Sequence, residues 1–538
     1  MLKISALQMH PQLGNLKANM EKILSFYDSS NADIVITPEL ALSGYSPMDN
    51  LFSIDFQEAI KKHIEIIKNY TTHKKATLIL GTPYFEDGKI YNVALCINDG
   101  EIVEIIYKNK RPNYGVFNEH RYFAAKESAN IIEINNKNIA IFVCEDMWHA
   151  NIVDSLVGAN VELIISINAS PFEGISKHTS RLQVAKYATT TLQAPLLYLN
   201  TVGGVDDVIF DGSSFLMDSH GNELGCLAHA KEDSLNFSVA HKKIDMDTAL
   251  RRYDGSENDK NQLIYEAIQL GLKDFLKSTG FKGVIIGMSG GIDSTLTATI
   301  AADTLGAENV LGISMPSQYT SQLSYDIIED IKNNLGIKII EIPIDSLVKS
   351  YEESLHNKLN LNENNVLDNI QARIRGQILM AHANQYNNFM VLTTGNKSEI
   401  ATGYCTLYGD TCGGYNLLKD LYKTEVFELS KWRNQKSPVI PTMAIERKPS
   451  AELKENQYDE DSLMDYNTLD AILYQIIEKN TPQQHLYKLF DSGLVDKTLK
   501  LLKNSHYKRL QSPMGANIST RPFGKAFLYN ISDSFKGK

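Results

Sequence analysis

Short apolar runs separated by helix-length stretches dominate the chain from residue 1 to about 240. The runs KISALQM (3–9), ADIVITPE (32–39), ATLILGTPYF (76–85), VALCIN (93–98), IAIFVCED (139–146), VELIISINAS (161–170) and APLLYLN (194–200) are rich in β-branched residues, and turn formers follow several of them, as expected of strands. EDGK at 86–89 and NDGE at 98–101 are the Asp-Gly pairs that close tight hairpins, so part of the pairing is antiparallel. A layered α/β domain with a mixed sheet is predicted. From 242 to 260 the pattern turns polar, and RRYDGSENDK (251–260) has the Gly, Ser, Asp and Asn content of a linker. Beyond it, helical periodicity over 261–278 leads into GVIIGM (283–288), a glycine-rich turn and a helix expected to begin at Asp293. VLGISM (310–315) and NFMVLTTG (388–395) are near-continuous apolar runs of the kind found in parallel strands buried on both faces. This second region is predicted to be doubly wound α/β.

At 538 residues the chain exceeds what one hydrophobic core usually organises, so two domains are expected, 1–250 and 251–538. A net charge of −11 argues against a polyanion as main partner, which excludes a nucleic-acid-binding role while leaving room for a local basic pocket. The opening MLKISALQMH lacks the layout of a signal peptide, and no apolar run approaches the ~20 residues that span a bilayer, so a cytoplasmic location without a membrane partner is expected. Cys96, Cys144, Cys226, Cys405 and Cys412 form no C-x2-C pair, which points away from a disulfide framework or a zinc site.

Three strand ends in the first region each deliver a reactive side chain: Glu39 after IVITP, Lys108 before NKRPNYG, and Cys144 after IAIFV. Singly, each has a bland explanation as a turn residue, a surface lysine or a buried thiol. Together they form a chemical unit for amide hydrolysis, in which a thiolate attacks the amide carbon, a carboxylate moves the proton and a fixed cation stabilises the oxyanion. TPEL, YKNKRPNYGVFNE and VCEDMW resemble the nitrilase, or carbon-nitrogen hydrolase, superfamily. That resemblance implies an αββα sandwich with Cys144 as nucleophile, Glu39 as general base and Lys108 as oxyanion stabiliser, Lys110 being the competing lysine. It further implies Tyr114 in a glutamine pocket, Glu119 behind the lysine, and Ser170 and Lys177, within NASPFEGISKHTSR, as glutamine contacts. Arg111 stands where an apolar residue is usual.

In the second region GVIIGM runs into SGGIDST, a glycine turn at a helix start whose bare N–H groups and helix dipole make a phosphate cradle. The order G-x-x-x-x-G-K-[ST] of a Walker loop is missing. The loop resembles instead the SGGxDS loop of ATP pyrophosphatases, which implies an ATP site at Gly287, Ser289, Gly290, Gly291, Asp293, Ser294 and Thr394, with Mg²⁺ held by Asp293 and Glu399. MPSQYTSQLSYDI, DNIQARIRGQILM, TTGNKSEIATGYCTLYGDTCGGYNLLKDLYKTEVF and KPSAELKENQYDEDSL narrow the resemblance to NAD synthetases, and its domain order covers nearly the whole chain. By that resemblance Asn369, Glu399, Asp410, Lys423 and Lys508 meet deamido-NAD, and Met464 and Asp465 replace prolines after DEDSL. The implied reaction is ATP-dependent amidation of deamido-NAD with ammonia from glutamine, giving NAD, AMP, pyrophosphate and glutamate, in a homo-oligomer built on synthetase dimers and reaching an octamer. A different glutamine-fed adenylate ligase would share both signatures but not the NKSE to YGD segment or KPSAEL. Arg373 and Arg375 read as solvated or salt-bridged helix residues.

Overall fold

Alternate residues of the first-region strands face opposite ways, and both faces are buried. Ile139, Ile141 and Val143 share one core with Leu2, Ile4, Ile34 and Ile36, whereas the intervening Ala140 and Phe142 pack with Ala185, Ala188 and Leu192 of a helix. Two faces buried on different partners require two sheets back to back with helices outside. The structure, a computed structural model, describes residues 1–528 apart from 247–249, 253–255, 357, 362, 364 and 456. It divides into two compact units, Met1–Leu263 and Ile264–Lys538.

In the first unit a seven-stranded sheet runs in the order Lys243–Asp245, Asp233–Ala240, Leu2–Gln8, Ile34–Ile36, Thr77–Glu86, Lys89–Asn98 and Glu101–Tyr107. Leu2–Gln8, Ile34–Ile36 and Thr77–Glu86 pair in parallel, and the two predicted hairpins supply antiparallel pairs. The facing sheet has six strands, Glu223–Cys226, Phe215–Met217, Leu196–Asn200, Val161–Asn168, Lys137–Val143 and Ile131–Ile134, of which Leu196–Asn200, Val161–Asn168 and Lys137–Val143 pair in parallel at its centre. The helices Leu16–Ser29 and Ile54–Thr71 cover the outer face of the first sheet through Leu16, Ile23, Ile60, Ile64 and Ile67, and Ile175–Leu192 covers the second. This is the αββα sandwich.

The second unit is built on five parallel strands in the order Lys338–Glu341, Val310–Ser314, Gly283–Met288, Phe389–Thr393 and Tyr415–Asn416. Sequence order reverses between Gly283–Met288 and Phe389–Thr393. At such a switch point loops from neighbouring strands diverge and leave a crevice beyond the carboxyl ends. Helix Ile292–Leu305 follows the glycine turn, one residue earlier than expected because Gly291 takes the N-cap position. A separate helical layer packs Leu469, Ile472, Leu473, Val495 and Leu502 on Ile400 and Ala401.

The polar stretch read as a linker contains structure: Arg251 exchanges backbone hydrogen bonds with Cys226, and a helix begins at Glu257, while residues 253–255 lie outside the described set. Glu257 and Asp259 favour a helix start because they complement its positive end, and their polarity concealed it. Asp465, at one of the proline positions, accepts the N–H of Thr468 and caps the helix Tyr466–Ile477. No helix among the described residues is long and apolar enough to cross a membrane.

Candidate active sites

In the first unit, carboxyl ends of parallel strands from both sheets bring one cluster together. Glu39 lies three residues beyond the strand Ile34–Ile36, in a turn pressed on the neighbouring strand at Gly81. A β-carbon at position 81 would lie 2.0 Å from the Pro38 carbonyl oxygen and 2.9 Å from the Glu39 α-carbon, so only glycine lets the turn sit there. The Glu39 carboxylate is completely buried. Its Oε1 accepts the Lys108 ammonium at 2.6 Å and the Asn92 amide at 2.7 Å, and its Oε2 accepts the Ala169 N–H at 2.7 Å. Lys108 also donates to Glu119 Oε1 at 2.8 Å, an oxygen shared with the Tyr45 hydroxyl at 2.8 Å. Of the two candidate lysines, Lys108 is the one that joins Glu39; Lys110 gives its backbone N–H to Asp146.

Cys144 ends the strand Lys137–Val143 and opens the short 3-10 turn Cys144–Trp148 with φ of +50°. A non-glycine residue rarely occupies that region, and surrounding structure must hold it there. Burial pushes the thiol well above its ordinary pKa, the Glu39 charge adds to this, and Lys108 opposes it. Burial by itself would discharge Lys108, but Glu119 and Glu39 overcome it and keep the ammonium charged. Glu119 is pushed up to about 7 by burial and by Glu39, against the pull of Lys108. Burial thus favours the protonated thiol at rest, while the two acids keep Lys108 a fixed cation.

The other first-unit candidates range from exposed to buried. The Tyr114 hydroxyl donates to Glu145 at 2.9 Å, and its exposed ring meets Phe117 edge-on. Lys177 pairs with Glu173 at 3.3 Å with its ammonium 5.4 Å from the Trp148 ring. Ser170 is buried, its hydroxyl accepting from Arg181 at 3.1 Å; Arg181 also donates to the Ser170 and Pro171 carbonyls and forks onto Asp211. Arg111, in the place of an apolar residue, is accommodated by donating to the Phe123 carbonyl at 2.7 Å. Asn92, Tyr45 and the Ala169 N–H went unseen in the sequence. Of these only Asn92 left a signal, a polar residue beside an apolar strand run.

In the second unit a cavity of about 300 Å³ opens at the carboxyl ends of the strands, a size in the lower range of small-molecule sites. Gly287, Ser289, Gly291, Asp293, Ser294, Thr394, Glu399, Asp410 and Lys423 line it. Gly290 stands behind the loop with φ of +75°, and a β-carbon there would lie 2.8 Å from the Ser324 carbonyl oxygen. Two further candidates do not line the cavity. Asn369 accepts the Thr406 hydroxyl at 2.7 Å, one layer out, and Lys508 is spent on the Gly403 and Cys405 carbonyls at 2.8 and 2.6 Å.

The Lys423 ammonium bridges two carboxylates, bonded to Asp293 Oδ2 and 3.6 Å from Glu399 Oε1. Asp293 Oδ1 accepts the Asn396 amide at 2.9 Å. Glu399 also completes a capping box with Asn396, so its helix-start role and its place in the cavity coexist. Burial and the Asp293 charge push Glu399 up to about 8 against the pull of Lys423. Burial likewise pushes Asp410 up to about 6. Among the described residues no group of three or more His, Cys, Asp or Glu is arranged to hold a metal. The sequence also understated Arg375, which lines the cavity rather than the solvent. It donates from Nε to the Met315 carbonyl at 3.0 Å, and burial lowers its pKa to about 10. Arg447 and Glu452, from the KPSAEL region, close another side and pair at 2.9 Å.

A buried Glu, Lys and Cys cluster on an αββα sandwich and a glycine-loop cavity on a doubly wound sheet define a carbon-nitrogen hydrolase joined to an NAD synthase: residues 3–250 match the carbon-nitrogen hydrolase family and 264–512 the NAD synthase family. The chain is 38% identical to the glutamine-dependent NAD(+) synthetase of Acinetobacter baylyi over 99% of each chain, and 36% identical to that of Aquifex aeolicus over 99% of this chain and 100% of the other. It also superposes on the structure of the glutamine-dependent NAD+ synthetase from Acinetobacter baumannii in complex with ADP with a TM-score of 0.77 and 34% identity, covering 100% of this chain and 99% of that one. The chain belongs to the glutamine-dependent NAD(+) synthetase family, a family of ligases.

Proposed function

We propose that this chain makes NAD from deamido-NAD, ATP and glutamine, with residues 1–250 hydrolysing glutamine and 251–538 carrying out the amidation. The observation that carries this reading is the Lys108 ammonium buried between Glu39 and Glu119 beside Cys144. Glu39 takes the Cys144 proton as sulfur attacks the glutamine amide carbon, Lys108 stabilises the oxyanion, and Glu39 returns the proton to the departing ammonia. Water then releases glutamate from the thioester. Tyr114, Ser170 and Lys177 hold the substrate, and Glu119 keeps Lys108 charged.

In the second unit the deamido-NAD carboxylate attacks the α-phosphorus of ATP, pyrophosphate leaves, and ammonia displaces AMP from the resulting adenylate. The 287 to 294 loop, with the start of the helix Ile292–Leu305, cradles phosphate; Thr394 faces the nucleotide; and Lys423 and Arg375 offset its charge. Asp410 and Glu399 lie toward deamido-NAD, with Asn369 and Lys508 supporting that end from behind the wall. Asp293 and Glu399 suit Mg²⁺: two hard carboxylates already draw one cation, the Lys423 ammonium, between them, and this metal commonly takes one or two carboxylates and completes its shell with phosphate oxygens and water. When bound there it supplies Lewis-acid stabilisation of the pyrophosphate charge.

Free amines are mostly protonated at neutral pH, as the ~10.4 reference value for lysine illustrates, so making ammonia within the same chain delivers it as a nucleophile. The protein works as a cytoplasmic homo-oligomer of synthetase dimers, up to an octamer, a number that light scattering counts. The functional test is an assay of NAD formation with glutamine and with ammonium side by side. Absence of NAD from ATP and deamido-NAD with either nitrogen source would refute the proposal.

A further inference from the structure

The two sheets of the sandwich each contribute part of the amidase cluster, so something must hold those parts in register. Lys108 follows Glu101–Tyr107, the edge strand of the seven-stranded sheet, and Cys144 ends Lys137–Val143 in the six-stranded sheet. The base is tied across the sheets by the Ala169 N–H on Glu39. We infer that Asp146 is the positioning residue that does this for the lysine, fixing the Lys108 ammonium relative to the Cys144 sulfur during amide hydrolysis. The inference rests on the proposed roles of Glu39, Lys108 and Cys144.

Asp146 sits two residues after the thiol, in the same 3-10 turn, and is completely buried. Its Oδ1 accepts the N–H of Asn109 at 3.0 Å and of Lys110 at 2.6 Å, and its Oδ2 accepts Asn109 at 3.2 Å. Asn109 and Lys110 are the two residues immediately after Lys108. One carboxylate anchored to the nucleophile's turn therefore grips the backbone that carries the lysine.

A buried carboxylate is costly unless compensated, and among the described residues Asp146 has no ion-pair partner within 4.0 Å. The two backbone N–H groups provide its direct compensation. If the turn and the lysine loop separated, a bare charge would remain in the interior, so the pair moves together or not at all. Glu39 and Glu119 hold the ammonium from the base side; Asp146 sets its distance from sulfur.

The test uses the full chain with ATP and deamido-NAD present. Asp146→Asn keeps the shape but turns an N–H₂ toward a backbone N–H, and Asp146→Ser removes both accepting oxygens. Expected are a fall in glutaminase kcat of ~10- to 100-fold with KM for glutamine within about twofold, and a parallel rise in Ki for the γ-aldehyde analogue of glutamine, because the tetrahedral adduct uses the lysine more than the ground-state amide does. Ammonium-driven NAD formation stays unchanged. The assignment is overturned if kcat and the aldehyde Ki are unaltered in both variants, if KM rises at constant kcat, or if both variants lose the wild-type thermal transition along with activity. Cys144→Ala and Lys108→Met are run in parallel. Glutaminase activity persisting in those two would sink the cluster assignment itself, separately from Asp146's part in it.

Discussion

The two candidate sites handle charge in opposite ways. Around Cys144 the charged groups are satisfied by one another: Lys108, Glu39 and Glu119 are at most 2% exposed, and the ammonium is matched by two carboxylates. In the second-unit cavity, Arg375 is buried against a carbonyl rather than an acid, and Lys423 lies between Asp293 and Glu399, the acids proposed to hold Mg²⁺. On the proposed function the group that reacts in the first site is an uncharged amide, so the buried cluster around it can be assembled in advance. The proposed polyanionic substrates would complete the second, where Lys423 can exchange its acids for phosphate and Arg375 faces a carbonyl. Preorganisation in one and deferred compensation in the other follow from what each binds.

Breaking the first site should give the largest effect. Cys144→Ala is expected to lower glutamine-driven NAD formation by ~10³-fold or more while leaving the ammonium-driven rate intact, which parallel assays with the two nitrogen sources measure. Loss of both rates would contradict independent assembly. Breaking the second should remove both reactions together: Asp293→Ala is expected to cut NAD formation by ~10²- to 10³-fold with either source, and unchanged turnover would exclude Asp293 from the proposed metal site. Arg375→Met sharpens the contrast, since a reserve cation serves binding. KM for ATP or deamido-NAD should rise ~10-fold or more, with glutaminase KM unmoved.

The smallest effect is on stability. The Glu119 carboxyl lies near 7 in the fold and near its ordinary 4.5 when unfolded, so between those values the folded form binds the extra proton. Stability from this group is full below about 4.5 and declines as pH rises through 7. Glu119→Gln should flatten that decline by at most ~1.4 kcal/mol per pH unit, seen as thermal midpoints that differ less between pH 5 and pH 7. Asp146, also near 7, leaves a residual slope of the same sign.

Both architectures were legible in the sequence because their strands are buried on two faces and appear as apolar runs. Glu39, Lys108, Cys144 and the glycine loop stood out as candidates because they sit at strand ends, where a reactive residue interrupts such a run. What escaped were partners supplied from elsewhere in the fold. Asn92 reaches Glu39 from another strand, and Asp146 looks like an ordinary turn acid until its two amides are seen. Arg375 read as a solvated or salt-bridged helix residue because a helical arginine usually is one, although it lines the cavity. Asn369 and Lys508 show how little a motif position says of depth: neither lines the cavity, and each bonds to the backbone or side chains of the 403–406 segment.

Gly81 carries no charge and touches no substrate, yet the tight seat it gives the Glu39 turn makes it a steric control point for one half of the chain. Alanine there must push the turn outward, and displacing a catalytic group by ~1 Å costs on the order of 10²-fold. A methyl group would thus convert the protein into one fed chiefly by ammonium, every ionisable side chain still in place. Growth dependent on this chain, with ammonium supplied or withheld, would expose the difference.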